Sequence, residues 1–164
     1  MAPALIVLTP LLGAILAPLA IRAGRNACAA VAAGIGALAL ATLLAQATEI
    51  YSGHPVGWSI PWIPHLGLSF SFFIDGLGLF FAALILGMGL LIIVYARFYL
   101  DASEPIGRFY AFLLLFQGAM LGIVLSDNVL LMLVFWELTS LSSFLLIGYW
   151  SHLAESRQGA RMAL

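Results

Sequence analysis

The stretch Asn128–Trp150, NVLLMLVFWELTSLSSFLLIGYW, runs for 23 residues with a single charged side chain, Glu137. A hydrocarbon core about 30 Å thick takes roughly 20 mainly apolar residues as a helix, so this stretch is long enough to cross a bilayer. Working outward, four more stretches read the same way: Ala4–Ile21, bounded by Arg22 and Arg25; Ala27–Thr48, bounded by Glu49; Leu77–Ala96, between Asp75 and Arg97; and Phe109–Leu125, between Arg108 and Asp127. The expected fold class is therefore an all-α integral membrane protein with five transmembrane helices.

Composition agrees. Of 164 residues, 64% are apolar and 8% charged, against roughly 45–50% and about 25% in soluble domains. All six basic residues are Arg and the net charge is −1, which gives nucleic acid no basic surface to bind. The one cysteine, Cys28, cannot form an intramolecular disulfide, and no Cys/His spacing suggests a metal. No phosphate loop or nucleophile–base pair is present, so no cofactor is expected and hydrolytic chemistry has no machinery.

Ile50–Ile74 is also uncharged, but Gly53, Pro55, Gly57, Pro61, Pro64 and Gly67 punctuate it, and prolines at that density do not build one straight helix. Val56, Trp58, Ile60 and Trp62 alternate with small or turn residues, as do Leu66, Leu68, Phe70 and Phe72 beyond Pro64–His65. Period two on both sides predicts a β-hairpin, and Tyr51, Trp58 and Trp62 suit the lipid–water interface. The expected organisation is helices 1 and 2 in 1–49, an extracytoplasmic hairpin loop in 50–76, helices 3 to 5 in 77–150, and a cytoplasmic loop with the start of a sixth helix in 151–164. That sixth helix opens near Gln158.

Arg22 and Arg25 follow the first span, Arg97 and Arg108 flank the third loop, and Arg157 and Arg161 follow the fifth span. All six then lie on one face, which the positive-inside rule makes cytoplasmic, giving an N-out, C-in topology in the cell (inner) membrane. Because Arg22 and Arg25 come after the first apolar run rather than before it, that run is expected to stay attached rather than be cleaved as a signal peptide. Pro10 and Pro18 within it predict a kinked helix.

Lipid gives apolar helices no hydrophobic reason to pair, so small residues that permit close approach matter. Ala29, Ala33, Ala37, Ala41 and Ala45 recur every four residues in the second span, and Gly118 and Gly122 form a GxxxG in the fourth. Gln117 is expected to make a hydrogen bond between helices.

Glu137 lies ten residues into the fifth span, roughly 15 Å deep at about 1.5 Å per residue. Placing an acid there costs about 2.5–3.5 kcal/mol on insertion scales, and such residues mark ion or proton paths. Burial holds the proton on a carboxyl group and a nearby cation releases it, so a cation that comes and goes makes a proton relay. Ser140, three residues on, could donate a hydrogen bond to the carboxylate. Thr139, Ser142 and Ser143 point elsewhere and can bond back to helix carbonyls. Asp75 and Asn128 read as helix caps, with Asp127 in the turn before the fifth span. His54, His65 and His152 read as polar loop residues.

VFWELTSLSSFLLIGYW at Val134–Trp150 and RFYAFLLLFQGAMLGIVLSDN at Arg108–Asn128 together resemble the start of the antiporter-like membrane subunits shared by respiratory complex I and the Mrp-type multisubunit Na+/H+ antiporters. VYARFYLD at Val94–Asp101 makes the chain most similar to the A-type member of the Mrp antiporter. The resemblance implies that Glu137 is the family's fifth-helix glutamate in a charged relay through mid-membrane, paired with a lysine on a later helix. It implies other antiporter subunits, monovalent cations, protons and the lipid bilayer as partners. Because the chain stops at Leu164 without such a lysine, it is expected to be the N-terminal part of a longer subunit or a split gene product. Two alternatives remain: a proton-pumping subunit of complex I or a membrane-bound hydrogenase, and a structural membrane subunit.

Overall fold

The computed structural model describes residues 1–63, 65, 67–150 and 154–162. Pro64 and Leu66 of the expected reversal, Ser151 and His152, and Leu164 lie outside the described residues. Among the described residues, five helices are long and apolar enough to cross a membrane: Ala2–Ala23, Arg25–Tyr51, Gly76–Tyr99, Ile106–Leu125 and Val129–Trp150.

In detail, α1 spans Ala2–Leu19 and tightens into a 3-10 turn over Ala20–Ala23. Gly24 then adopts φ 107°, a conformation side chains disfavour, and turns the chain into α2, Arg25–Leu44. The second span does not run straight to Thr48: α2 ends at Leu44 and a short α3, Ala47–Tyr51, follows. Next come strands β1, Val56–Ile63, and β2, Leu68–Ile74. The chain continues as α4, Gly76–Tyr99; α5, Ile106–Leu125; and α6, Val129–Ile147, with a 3-10 turn over Gly148–Trp150. Finally α7, Ala154–Met162, begins four residues before the Gln158 expected to open a sixth helix.

The strands pair antiparallel, with Val56 opposite Ile74, Trp58 opposite Phe72 and Ile60 opposite Phe70, and an irregularity between Pro61 and Ile63. Trp58 stacks on Phe72 with centroids 6.5 Å apart, and Trp62 on Phe70 at 4.8 Å. The buried apolar side chains of β2, Phe72 and Ile74, enter the core beside Ile6 and Val7 of α1 and Leu121 and Leu125 of α5.

Helix α5 is central, packed against α1, α2, α4 and α6. Small residues let its neighbours approach, as the physics of apolar solvents requires, but not through the expected rows. On α2 the buried positions are Cys28, Ala32, Gly36, Ala39 and Leu43. The Ala29–Ala45 stripe is half-buried at Ala29 and Ala33 and exposed from Ala37 onward. A helix that is small-sided all round offers several equivalent rows, and the shape of its neighbours selects among them. The GxxxG likewise does not serve one interface: Gly118 meets Leu11 of α1, whereas Gly122 meets the Phe135 ring of α6.

The two ends of the bundle differ in charge. At one end, the Arg25 guanidinium donates to the carbonyls of Leu100 (3.1 Å), Ala102 (3.2 Å) and Glu104 (2.9 Å), and Arg97 Nε donates to Asn26 Oδ1 at 2.6 Å. A cation in the first turn of a helix opposes that helix's dipole, and the carbonyls around the C-terminus of α4 offset this. At the other end lie the hairpin, Asp75 and Asp127.

Candidate functional site

Glu137 is the ninth of the 19 residues of α6, and its placement follows from how that helix starts. Asn128 caps it: Oδ1 accepts from the backbone N–H of Leu130 at 3.0 Å and Leu131 at 3.1 Å, satisfying donors the first helical turn would otherwise leave open. The same amide donates through Nδ2 to the Gly67 carbonyl at 2.9 Å. The preceding turn is held to β2 as well, since Asp127 N–H donates to the Ser71 carbonyl at 2.9 Å and Ser71 Oγ to Asp127 Oδ2 at 3.2 Å.

Which way Glu137 faces is set by the contact between α5 and α6. Leu131, Phe135 and Ser142 are the buried residues of α6, with Leu138 partly buried between them. That is a helical stripe of spacing four, three and four. At 100° per residue, Glu137 stands about 200° around the axis from Phe135, on the opposite side from α5. Its neighbours one turn away, Leu133, Val134 and Leu141, are exposed, and so is Glu137 itself. Among the described residues, no hydrogen bond or ion pair reaches its carboxylate.

Ser140 stands on the same side, but its hydroxyl donates to the Trp136 carbonyl at 3.4 Å rather than to Glu137. Thr139 Oγ1 donates to the Phe135 carbonyl at 2.9 Å and Ser142 Oγ to the Thr139 carbonyl at 3.0 Å. The hydroxyls of Thr139, Ser140 and Ser142 are thus absorbed by the helix backbone, whereas Ser143 makes no such bond among the described residues.

Gln117 of α5, unlike Glu137, is buried inside the bundle, 2% exposed. Its Nε2 donates to the Ile85 carbonyl of α4 at 3.2 Å, tying the two helices together on a side away from α6. Gln117 and Glu137 therefore do not form one site. Asp75 caps α4, with Oδ1 accepting from Gly78 N–H at 2.7 Å. Asp75 and Asp127 line one cleft of about 290 Å3 together with Phe81 and Ser126. Among the described residues no three His, Cys, Asp or Glu side chains gather as a metal site would require. His54 and His65 are exposed loop residues.

Two links were not foreseeable from local sequence. One is the Arg25 clamp on the loop after α4, and the other is Trp150 Nε1 donating to Glu104 Oε1 at 3.1 Å. Both join residues at least 46 positions apart, and neither leaves a spacing signal.

Residues 58–110 match the family described as "NADH-Ubiquinone oxidoreductase (complex I), chain 5 N-terminus". Over 132 residues the chain is 46% identical to a probable K(+)/H(+) antiporter protein, of the A/B type, from Rhizobium meliloti (strain 1021), a match covering 79% of this chain and 13% of the relative. It is also 46% identical over 113 residues to the A1 component of a Na(+)/H(+) antiporter from Staphylococcus aureus (strain bovine RF122 / ET3-1), covering 69% of this chain and 14% of that one. Among solved structures, the Mrp complex from Dietzia sp. DQ12-45-1b superimposes with a TM-score of 0.72 at 30% identity, over 90% of this chain and 16% of that one. A membrane-bound sulfane sulfur reductase, an archaeal respiratory membrane complex, shares the fold at a TM-score of 0.76 and 19% identity, over 98% of this chain and 24% of that one. The chain thus spans 13–14% of the length of these curated relatives.

Proposed function

Because the chain belongs to the antiporter-like membrane subunits typified by the A-type member of Mrp antiporters, we propose that it forms part of a cation/proton antiporter in which Glu137 relays protons at mid-membrane. The observation that carries this reading is the position of Glu137. It is a carboxylate halfway along an apolar helix, on a face that is exposed among the described residues. An acidic group there is too costly to retain without a partner or a task.

The chemistry follows from that face. The proton affinity of a carboxyl group in low dielectric depends on whether a cation stands near it, and no Lys or Arg lies within the described α6. The cationic partner would then come from a membrane segment outside these 164 residues or from another subunit, docking against the side of α6 that carries Leu133, Val134 and Leu141. Approach and withdrawal of that cation would release and reload the proton, coupling proton uptake to extrusion of a monovalent cation, Na+ in our reading. Ser140 would serve as a secondary hydrogen-bond donor when its rotamer turns from the Trp136 carbonyl toward Glu137. In this arrangement the arginine end is cytoplasmic and the hairpin external.

Glu137→Gln, nearly isosteric and unable to ionise, tests the relay. In everted vesicles carrying the full-length protein with its partners, the variant should assemble and lose cation/proton exchange. Normal exchange by the assembled variant would sink the proposal and favour a structural role. A second reading, a proton-pumping subunit driven by electron transfer, draws on the complex I family matched by residues 58–110. Iron–sulfur or flavin subunits copurifying with the chain would favour it.

A further inference from the structure

Among the described residues, α6 is the least covered of the five long helices, and it packs chiefly on α5 and the hairpin. Its height along α5 is therefore set at a few points. At the outer end Asp127 and Asn128 tie its start to the hairpin, and midway the Phe135 ring sits against Gly122. At the arginine end the Tyr149 ring meets Phe109 of α5 with centroids 5.6 Å apart, an apolar contact with no preferred direction along the helix. Helix α7 packs on α6 itself, Ser156 Oγ donating to the Ile147 carbonyl at 2.6 Å. The directional tie at this end runs from Trp150 Nε1 to Glu104 Oε1 at 3.1 Å, with the Tyr149 hydroxyl beside the same carboxylate. Glu104 is itself held: its backbone carbonyl accepts from the Arg25 guanidinium at 2.9 Å and from the Ile106 N–H at 2.8 Å. The loop is thus fixed through its main chain, and the Glu104 side chain is left to serve α6.

We propose that Glu104 is a positioning residue for Glu137, acting through Trp150 to hold the last turn of α6 so that the Glu137 carboxylate stays at one height in the membrane. The inference rests on the relay reading above. Trp150 stands roughly 20 Å along the axis from Glu137 at about 1.5 Å per residue, and a continuous helix carries an axial shift at its end to its middle. Proton transfer needs donor and acceptor within about 2.6–3.2 Å, so a slip of one residue rise, about 1.5 Å, takes a carboxylate out of reach of the group it serves. Misplacement by about 1 Å through a change far from the chemistry costs up to roughly a hundredfold in rate. A carboxylate suits the task, because an N–H bonds more strongly to a charged acceptor than to a neutral one. An amide oxygen at the same place keeps the geometry and gives up part of that strength.

The test uses the full-length protein in its membrane complex, in everted vesicles with Na+ as the cation. Trp150→Phe keeps a ring and removes the donor; Glu104→Ala removes the acceptor and leaves the carbonyl that Arg25 grips. Both should assemble and lower the maximal exchange rate by roughly tenfold or more, with the half-saturating Na+ concentration unchanged. Glu104→Gln, which still offers an oxygen to the indole, should keep most of the parent rate, a rescue and a split that a purely stabilising role would not produce. Amide hydrogen exchange over residues 145–150 should be faster in Trp150→Phe and Glu104→Ala and close to the parent in Glu104→Gln. Parent-like transport by Trp150→Phe and Glu104→Ala overturns the positioning role, as does a Glu104→Gln protein as slow as Glu104→Ala, or unchanged protection of residues 145–150 in all three variants. Glu137→Gln, measured in parallel, keeps this inference apart from the relay reading. If Glu137→Gln has lost transport while Trp150→Phe and Glu104→Ala have not, only the positioning role falls; normal transport by Glu137→Gln overturns both.

Discussion

Gln117 of α5 reaches the carbonyl of Ile85 on α4 at 3.2 Å across a gap that exists because position 89 carries no side chain. A Cβ on Gly89 would collide with the Gln117 amide. Gly89→Ala should therefore expel the amide from its bond and leave it buried and unpaired, costing about 1–2 kcal/mol. Gln117→Leu in the Gly89→Ala background removes the polar group that suffers, and should recover part of that loss. Reversible unfolding in detergent of the single and double variants measures both. A Gly89→Ala protein as stable as the parent would show that the two helices are not held by this contact.

Gly122 and Phe135 make the corresponding close approach between α5 and α6, the ring lying where a Cβ on Gly122 would stand. Phe135 in turn meets Phe72 of β2 with centroids 6.0 Å apart, so it has no room to retreat. Gly122→Ala is expected to cost about 1–3 kcal/mol by overpacking, and Phe135→Leu to relieve part of it. Phe135 is two residues from Glu137, so in the proposed antiporter Gly122→Ala should lower exchange as well as stability. Unfolding midpoints and vesicle exchange assays on the two single variants and the pair check this.

These contacts also show what the sequence could and could not convey. Five membrane-crossing helices are legible because an apolar run of about 20 residues has few competing readings. The position of Glu137 midway along α6 is legible for the same reason. Which way a helix faces is not, because α2, α5 and α6 are apolar nearly all round and carry no polar stripe to orient them. That is why the alanine row starting at Ala29 suggested a packing face that the structure gives instead to Cys28, Ala32 and Gly36, and why one GxxxG is divided between two neighbours. Ser140 illustrates a different limit: spacing brought it near Glu137, but a helix carbonyl one turn back is always in reach of a serine hydroxyl.

Asn128 performs two tasks with opposite ends of one amide, and substitutions can separate them. Asn128→Asp keeps an oxygen for the Leu130 and Leu131 N–H groups, and its charge suits a helix N-terminus, but it loses the donor to the Gly67 carbonyl. Asn128→Ala loses both. The alanine variant should be destabilised by about 1 kcal/mol through the cap, with the hairpin also loosened. The aspartate variant should loosen only the hairpin. Thermal midpoints report the first effect and amide hydrogen exchange at Gly67–Ser71 the second. Equal midpoints for the two variants would remove the cap from the account.

The orientation proposed for the bundle can be measured without any transport assay. Cys28 is buried, with Sγ donating to the Ala17 carbonyl at 3.1 Å, so Cys28→Ala gives a cysteine-free background at small cost. Ser59 is exposed on β1, at the end that carries Asp75 and Asp127, and Ser103 is exposed in the loop gripped by Arg25 at the other end. The arginines on that loop's side should be retained in the cytoplasm. A membrane-impermeant maleimide added to intact cells should then label Ser59→Cys and spare Ser103→Cys, and in everted vesicles the pattern should invert. Labelling of Ser103→Cys from outside would reverse the bundle and place the hairpin in the cytoplasm, and with it the direction in which Glu137 would pass its proton.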